Sequence, residues 1–406
     1  MRSSILSRGL TLTLLSAAVA AANAGTVTTD GQDIVISTKG GFAAKTADGK
    51  HAFKIGGRVQ LDYNNFDGVF NADQDGNTGS DLFFRRARLF VSGTIDKDWD
   101  YKVQFNVGED GGDGGSVEDL FIRYTGFGDL ANLTFGKQKE SFGLEELTSS
   151  KHITAIERSA PTSAFAPGRG VGVQLSGFAS NWTYGVGVFR NDEGGNDEID
   201  WAMTGRTTFA PIVTDTTVLH LGAAVSQRDG TFGSFNVRPE LRAVDGSDRI
   251  QSADFDDYGS ELRMGLEAAA VFGPFHAQAE YFDSSFEGNG GSDDYDADGY
   301  YAQVGFFLTG ESRPYDNEGG SFDKVKPNSG IGAWELFARF SQLDLSADLN
   351  NQGETGNAAD IMTVGVNWYA TSSVRAGINY VMADYDNAIN GEDDGSAIAA
   401  RLQIAF

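Results

Sequence analysis

Cysteine is absent from this chain, so no disulfide framework braces it, and backbone pairing and side-chain burial must hold the fold. Proline occurs only 7 times, which excludes a Pro-rich stalk; glycine, at 53, is abundant but lacks the strict period of collagen. Positive charge is scarce, with 31 Lys and Arg against 57 Asp and Glu. That balance argues against a nucleic-acid partner and describes a solvated, acidic outer surface. Long apolar runs are also missing. The longest, Leu10 to Ala22, falls short of the ~20 residues that a membrane-crossing helix needs.

That run has the form of an export leader. Arg2 and Arg8 flank it, and Ala22-Asn23-Ala24 offers small residues for cleavage before Gly25, which predicts a signal peptide over 1–24. A short N-terminal segment, 25–49, would follow. From residue 50 onward the pattern changes to alternation with a period of two. In the stretch 52–63, Phe53, Ile55, Val59, Leu61 and Tyr63 share one face, while Lys54, Arg58, Gln60 and Asp62 share the other. The same alternation returns in 101–107, in 275–281 (Phe275, Ala277, Ala279 and Tyr281 against His276, Gln278 and Glu280), in 362–369 and in 375–382.

Asp/Asn/Gly-rich stretches at 71–81, 108–116, 191–198, 287–298 and 386–395 punctuate these runs and read as external loops. Aromatic residues near strand ends (Tyr63 and Phe66, Trp99 and Tyr101, Tyr300 and Tyr301, Trp368 and Tyr369) suit membrane-interface girdles. The chain ends on Phe406 in an alternating strand. The fold class that follows is an all-β transmembrane antiparallel β-barrel over 50–406, with 16 strands as the even number that gives about 24 residues per strand and connection.

One interval breaks the alternation. Residues 142–167 have mixed polarity and exceed a turn, which predicts a constriction loop folded into the lumen, where irregular backbone can line water. Lys151 and Arg158 in this loop stand near the acidic residues Glu145, Glu146 and Glu157. Either these charges create a transverse field across the pore, or the basic pair pins the loop to the wall through ion pairs. Arg85, Arg86 and Arg88 raise a separate question. Strict alternation places Arg85 with Phe83, Ala87, Leu89 and Val91 on the lipid face, at a cost of about 2–4 kcal/mol near the midplane. Either a bulge turns Arg85 inward or it lies near the interface. Arg86 and Arg88 face the lumen in both cases, where guanidinium groups can replace water around an oxyanion.

The segments FKIGGRVQLDY, LFFRRARL, FGLEELTSSKHITAIERS, HLGAAVSQRD, YYAQVGFFLTGESRPY, GAWELF, VGVNWYA and RLQIAF together resemble the phosphate- and polyphosphate-selective porins of porin O and porin P type, over nearly the whole mature chain. The resemblance implies a homotrimer in the Gram-negative outer membrane, each barrel with its own anion-conducting pore, an extracellular arginine ladder and a central eyelet of Arg and Lys. Matching positions are Arg58, Arg85, Arg86, Lys151, Arg158 and Arg238. Departures from the family pattern are Asn236 and Glu240 in the RPELR region, Glu146, and Asp316 after Arg313-Pro314-Tyr315. Each lowers the positive charge expected along the anion path.

The expected function is passive diffusion of small hydrophilic solutes, with anions such as phosphate favoured along Lys54, Arg58, Arg85, Arg86, Arg88, Lys151, Arg158 and Arg238. The alternatives are a weakly selective or other-solute pore that has lost the phosphate site, and a barrel with an adhesin or receptor role. Outer-membrane lipid and lipopolysaccharide are the expected surroundings. No cofactor, metal or catalytic residue is expected. Ser149, Ser150 and His152 lack a nucleophile elbow or a third orienting partner, and Asp73, Asp75 and Asn77 are followed by Thr78 where a calcium loop of the EF-hand kind needs Gly.

Overall fold

The computed structural model describes residues 25–29, 32–38, 40–71, 78–108, 115–191, 198–243, 249–252, 258–288, 294–346, 348–349, 354–355, 358–389 and 392–406. The leader 1–24 and the stretch containing Asp73, Asp75 and Asn77 lie outside them. A short meander of β1 (Gly25–Thr29), β2 (Gln32–Ser37) and β3 (Phe42–Thr46) leads into β4 (Ala52–Phe66), with Phe42 opposite Ile55 and Lys45 opposite Ala52. Then follow β5 (Gly79–Ile95), β6 (Trp99–Asn106), β7 (Ser116–Tyr124), β8 (Asn132–Lys139), β9 (Arg169–Phe178), β10 (Trp182–Asn191), β11 (Glu198–Val213) and β12 (Thr217–Thr231). The last seven long strands are β13 (Tyr258–Phe272), β14 (Phe275–Gly288), β15 (Tyr295–Phe307), β16 (Ala333–Asp344), β17 (Ala358–Tyr369), β18 (Val374–Ile389) and β19 (Glu392–Ala405).

Strands β4 to β19 pair antiparallel in sequence order, and β19 returns to β4 with Ala397 opposite Phe66 and Ala405 opposite Arg58. The result is a closed barrel of 16 strands, as the alternation implies. Closure satisfies every wall strand on both edges, which is what allows a sheet to stand in lipid. The outer surface carries Leu120, Ile122, Leu221, Leu266, Val304 and Ile378, all exposed, and inward neighbours in the alternation include the buried polar residues Asp119, His220, Glu267, Gln303 and Asn379.

Period two also separates three of the four aromatic pairs, the exception being Trp99 and Tyr101, which lie two residues apart on one face of β6. Tyr63, Trp99, Tyr300 and Trp368 are exposed on the outer face, where Trp334 and Trp368 stack at 5.8 Å, but Phe66, Tyr301 and Tyr369 point inward and are buried. Only one member of each separated pair can join a girdle. The polar stretches at 287–298 and 386–395 are shorter as loops than their composition suggests, because β14 runs to Gly288, β15 starts at Tyr295, β18 runs to Ile389 and β19 starts at Glu392. Beyond the hydrocarbon the side chains can be hydrated while the ladder continues.

Between Gln60 and Leu61 the β4–β5 register slips: Gln60 faces Arg86, whereas Leu61 faces Phe84. The residue left out of the strand register is Arg85. This bulge turns Arg85 inward, where it is 6% exposed, and shifts the phase ahead of it so that Leu82 and Phe84 face lipid in place of Phe83.

Three long connections fill part of the interior. Residues 140–168 carry two short helices, α1 (Leu144–Leu147) and α2 (Ala160–Phe165). The connection after β12 adds buried Val237, Leu241 and Ile250, and 308–332 enters from the end where the other connections are short. Phe142, Phe165, Leu241, Phe282, Phe286 and Tyr301 belong to one buried apolar cluster that occupies the β13–β19 side. Open lumen is left on the β4–β11 side as a cavity of about 640 Å³.

Leu266 lies at the middle of β13 on the outer face and is 61% exposed. The change Leu266→Arg should destabilise the lipid-embedded barrel by about 2–4 kcal/mol in reversible denaturant unfolding. An unchanged stability would contradict the assignment of this face to lipid.

Candidate functional site

A loop inside a barrel needs partners for its backbone, and here the wall supplies them. Glu280 accepts hydrogen bonds from the backbone N–H groups of Leu144 (2.6 Å) and Glu145 (2.8 Å). Arg375 donates to the carbonyls of Ile153 (2.5 Å) and Thr154, and Asn367 also donates to Thr154 (3.0 Å). Arg401 donates to the Ile156 carbonyl (2.5 Å), Gln60 to Ser150 (3.1 Å), Gln403 to Lys151 (3.1 Å) and Arg263 to Phe165 (3.1 Å). Ser159 caps α2 by accepting from Thr162 N–H at 3.2 Å. The loop is thus held from strands on several sides, and its position in the pore is determined by the fold.

The acidic residues are bound into the same scaffold. Glu145 accepts from Ser159 N–H (2.9 Å) and pairs with Arg339 (3.2 Å). Glu240 receives Ala160 N–H (3.0 Å), pairs with Arg339 and accepts from Thr363 (3.1 Å). Glu146 lies between Lys139 (2.8 Å) and Arg158 (3.1 Å). Burial would raise its pKa, but Arg158 and Lys139 outweigh this and hold the carboxyl at about 2. Asp316 accepts from Glu318 N–H at 3.1 Å within its own turn, and Asn236 is exposed opposite Gln251 in a two-residue ladder. Three of the four departures from the family pattern are therefore carboxylates already engaged by the protein.

The basic candidates divide by their partners. Arg85 makes a bidentate pair with Glu157, 2.8 Å at each contact. Arg86 reaches Gln60 (3.2 Å) and the same carboxylate (3.8 Å). Burial would raise the pKa of Glu157, yet Arg85, Arg86 and Arg401 together hold it well below the usual carboxylate range. Arg88 pairs with Glu118 at 2.6 Å. Arg158 pairs with Glu146 and donates to the carbonyls of Glu145, Glu146 and Thr148 at 3.0–3.1 Å, so it pins the loop while also lining the open cavity. Arg238 stands apart on the connection after β12, where burial first, and then Arg242, Arg249 and Arg85, lower its pKa to about 10.

Arg58 differs from all of these. It is 6% exposed and lines the cavity, and among the described residues no hydrogen bond or ion pair engages its guanidinium, whose Nε is buried without a partner. Its charged neighbours are mainly Arg88, Arg86 and Arg169, opposed by Glu118. Lys151, half-buried, likewise has no acid partner among the described residues. Burial, followed by repulsion from Arg58, Lys102, Lys54 and Lys324, lowers its pKa to about 8. Lys54 is exposed and touches the Phe90 ring, with its Nζ 5.8 Å from the centroid. Buried cations without anions are costly, and a solute anion at this point would relieve that cost.

Sequence reasoning missed the rest of the ring. Arg169 bridges Glu118 (2.9 Å) and Asp119 (2.8 Å), and Lys102 also pairs with Asp119 (2.7 Å). Arg206 holds the infolded 308–332 segment by donating to the carbonyls of Gly320 (2.7 Å) and Gly319 (3.4 Å). Lys102 and Arg206 sit at inward positions of alternating strands, which is the signal that would have found them; Arg169, the first residue of β9, shares the phase of the outward Val171 and Val173, so alternation does not mark it. His152 contacts Asp323 at 3.3 Å and so joins two infolded segments; no hydrogen bond links it to the hydroxyl of Ser149 or Ser150. Among the described residues no His/Cys/Asp/Glu group has the form of a metal site.

The family model described as "Phosphate-selective porin O and P" matches residues 53–406. Porin O of Pseudomonas aeruginosa is 38% identical over 437 aligned positions, covering 98% of this chain and 99% of the relative. Among solved structures, the outer membrane channel DcaP of Acinetobacter baumannii aligns with a TM-score of 0.57 at 14% identity, covering 89% of this chain and 99% of that one. The trimer form of OmpT from Vibrio cholerae gives 0.52 at 12% identity, covering 88% and 99%. At such identities the structural likeness establishes the barrel fold.

Lys151 provides a pH test. Its ammonium is charged below its pKa, and lowering that pKa from 10.5 to about 8 brings the loss of charge within reach of mild alkali. Anion preference, read as reversal potential in a salt gradient, should decline as pH rises from 7 to 9. The change Lys151→Gln should reduce it at pH 7 and flatten that decline. A wild-type profile that is level through this interval would contradict a role for Lys151 in the charged lining.

Proposed function

The chain belongs to the phosphate-selective porin O and P family, and on that premise we propose that this outer-membrane porin passes small hydrophilic anions by passive diffusion, with inorganic phosphate as a favoured solute. The observation that carries the proposal is Arg58, a buried guanidinium in the open part of the lumen that no acid engages among the described residues, next to Arg86, Arg88 and Lys151. An oxyanion that sheds water there gains charge-assisted N–H donors, and the low-dielectric wall strengthens them. The description of the matching family, phosphate-selective porin O and P, supports the same reading.

Net charge does not oppose it. The acids nearest the pore are held by Arg88, Arg158, Arg169, Lys102, Lys139 and Arg339, so the field that a solute meets is set by the cations left over. The second reading, a weakly selective pore, draws on Glu118 and Asp119, which occupy the same wall and partly screen Arg88, Arg169 and Lys102. A homotrimer in lipid and lipopolysaccharide, made after removal of residues 1–24, is the assembly this proposal includes; the existence of a trimer form of the fold neighbour OmpT supports it.

Planar-bilayer recordings test the proposal. A KCl gradient should give an anion-selective reversal potential, and added phosphate should block the chloride current saturably. The variant Arg58→Gln should weaken that block about 10- to 100-fold, the effect of losing one or two charge-assisted hydrogen bonds. A cation-selective potential, or a current that phosphate never saturates, would overturn it.

A further inference from the structure

Two phenylalanines, Phe90 and Phe121, take inward positions on the open side of this barrel, among the cations of β4 to β7. Phe90 on β5 follows Arg88 as the next inward residue, one strand repeat or about 7 Å farther toward the short-turn end. Phe121 on β7 stands in the row below, because Lys54 pairs with Ser92, Ser92 with Lys102 and Lys102 with Phe121. Neither ring is buried; both are partly exposed. An apolar ring kept in contact with pore water costs free energy unless something covers it.

The wall is shaped around these rings. Phe90 lies opposite Gly56, and a Cβ on that glycine would come within 2.5 Å of the ring edge, so only glycine lets the ring lie against the wall there. Phe121 also stands opposite a glycine, Gly136, which has φ +121 and would place a Cβ 2.3 Å from the Leu120 carbonyl oxygen. Cations surround both rings. The Nζ atoms of Lys54 and Lys102 are each 5.8 Å from the Phe90 centroid, and the Arg123 guanidinium is 5.2 Å from that of Phe121. Phe121, Lys102 and Arg123 line both the eyelet cavity of about 640 Å³ and a second cavity of about 490 Å³. Phe90 lines a separate, smaller pocket of about 90 Å³ together with Lys54 and Lys151.

We propose that Phe90 and Phe121, with Lys54, Lys102 and Arg123, form a subsite for anions that carry an aromatic ring, such as aryl phosphates and aryl carboxylates. The anionic head would meet the Arg58 and Arg88 level while the ring stacks on the phenyl faces one repeat below. This rests on the anion-pore reading and adds a solute class to it. The rings contribute nothing to inorganic phosphate, which has no apolar surface, so their effect appears only when the solute has a ring.

The test compares solutes matched in charge, using the intact porin in planar bilayers with chloride as the current carrier. Phenyl phosphate should block at about three- to tenfold lower concentration than methyl phosphate, and benzoate lower than acetate. Phe90→Leu and Phe121→Leu, which keep apolar volume but remove the ring, should erase that preference and leave block by inorganic phosphate unchanged. An anion-selective pore that phenyl and methyl phosphate block equally, or leucine variants that retain the preference, would overturn the subsite alone. A cation-selective wild-type pore would overturn the reading beneath it as well. The matched-solute comparison needs only the wild-type protein, so a variant that fails to assemble does not obscure the result.

Discussion

Backbone that is neither helix nor ladder can exist at membrane depth only if something bonds it. That constraint organises the interior of this barrel. The loop between β8 and β9 exposes carbonyls and N–H groups over more than twenty residues, and the wall answers with long polar side chains: Arg375, Asn367, Arg401, Gln60, Gln403, Arg263 and Glu280. Arginine suits this task because its planar fork reaches two carbonyls at once, as Arg375 does with Ile153 and Thr154. Removing one such partner would leave buried polar groups unsatisfied, so the loop and the wall constrain each other.

The charge pattern of the pore follows from this. Carboxylates that look, by composition, as though they should repel anions are committed to holding the loops. Glu145 and Glu240 converge on Arg339, Glu146 on Lys139 and Arg158, and Glu157 on Arg85 and Arg401. Of the two alternatives for the loop charges, pinning accounts for Glu145, Glu146, Glu157 and Arg158, whereas Lys151 has no acid partner among the described residues. The apolar cluster on the β13–β19 side displaces the open path toward β4–β11, where Arg58 stands.

Much of the barrel was legible in the sequence because lipid outside and water inside impose a period of two that tolerates few exceptions. The exception at Arg85 was visible as a conflict, and the bulge opposite Gln60 and Leu61 resolves it by turning the charge inward. The infolding of 308–332 was not legible, since a polar, Gly-rich stretch reads the same whether it lies outside the barrel or within it. Pairing was hidden for a different reason. Glu240 meets Arg339, 99 residues away, and Arg401 meets Asp62, 339 residues away, so no local pattern announces which acids are neutralised. Strand alternation is a local property, while the charge that a solute meets is a sum over contacts distant in sequence.

Anion placement within the lumen tests this account most directly. Crystals of the porin soaked in bromide, measured at the bromine edge, should show an anomalous peak in the open cavity against the Arg58 guanidinium, on the side of Lys151, and none beside Arg339 or Arg401, whose charges are already matched. Bromide peaks confined to the outer surface, or lumenal peaks that bypass Arg58, would contradict it.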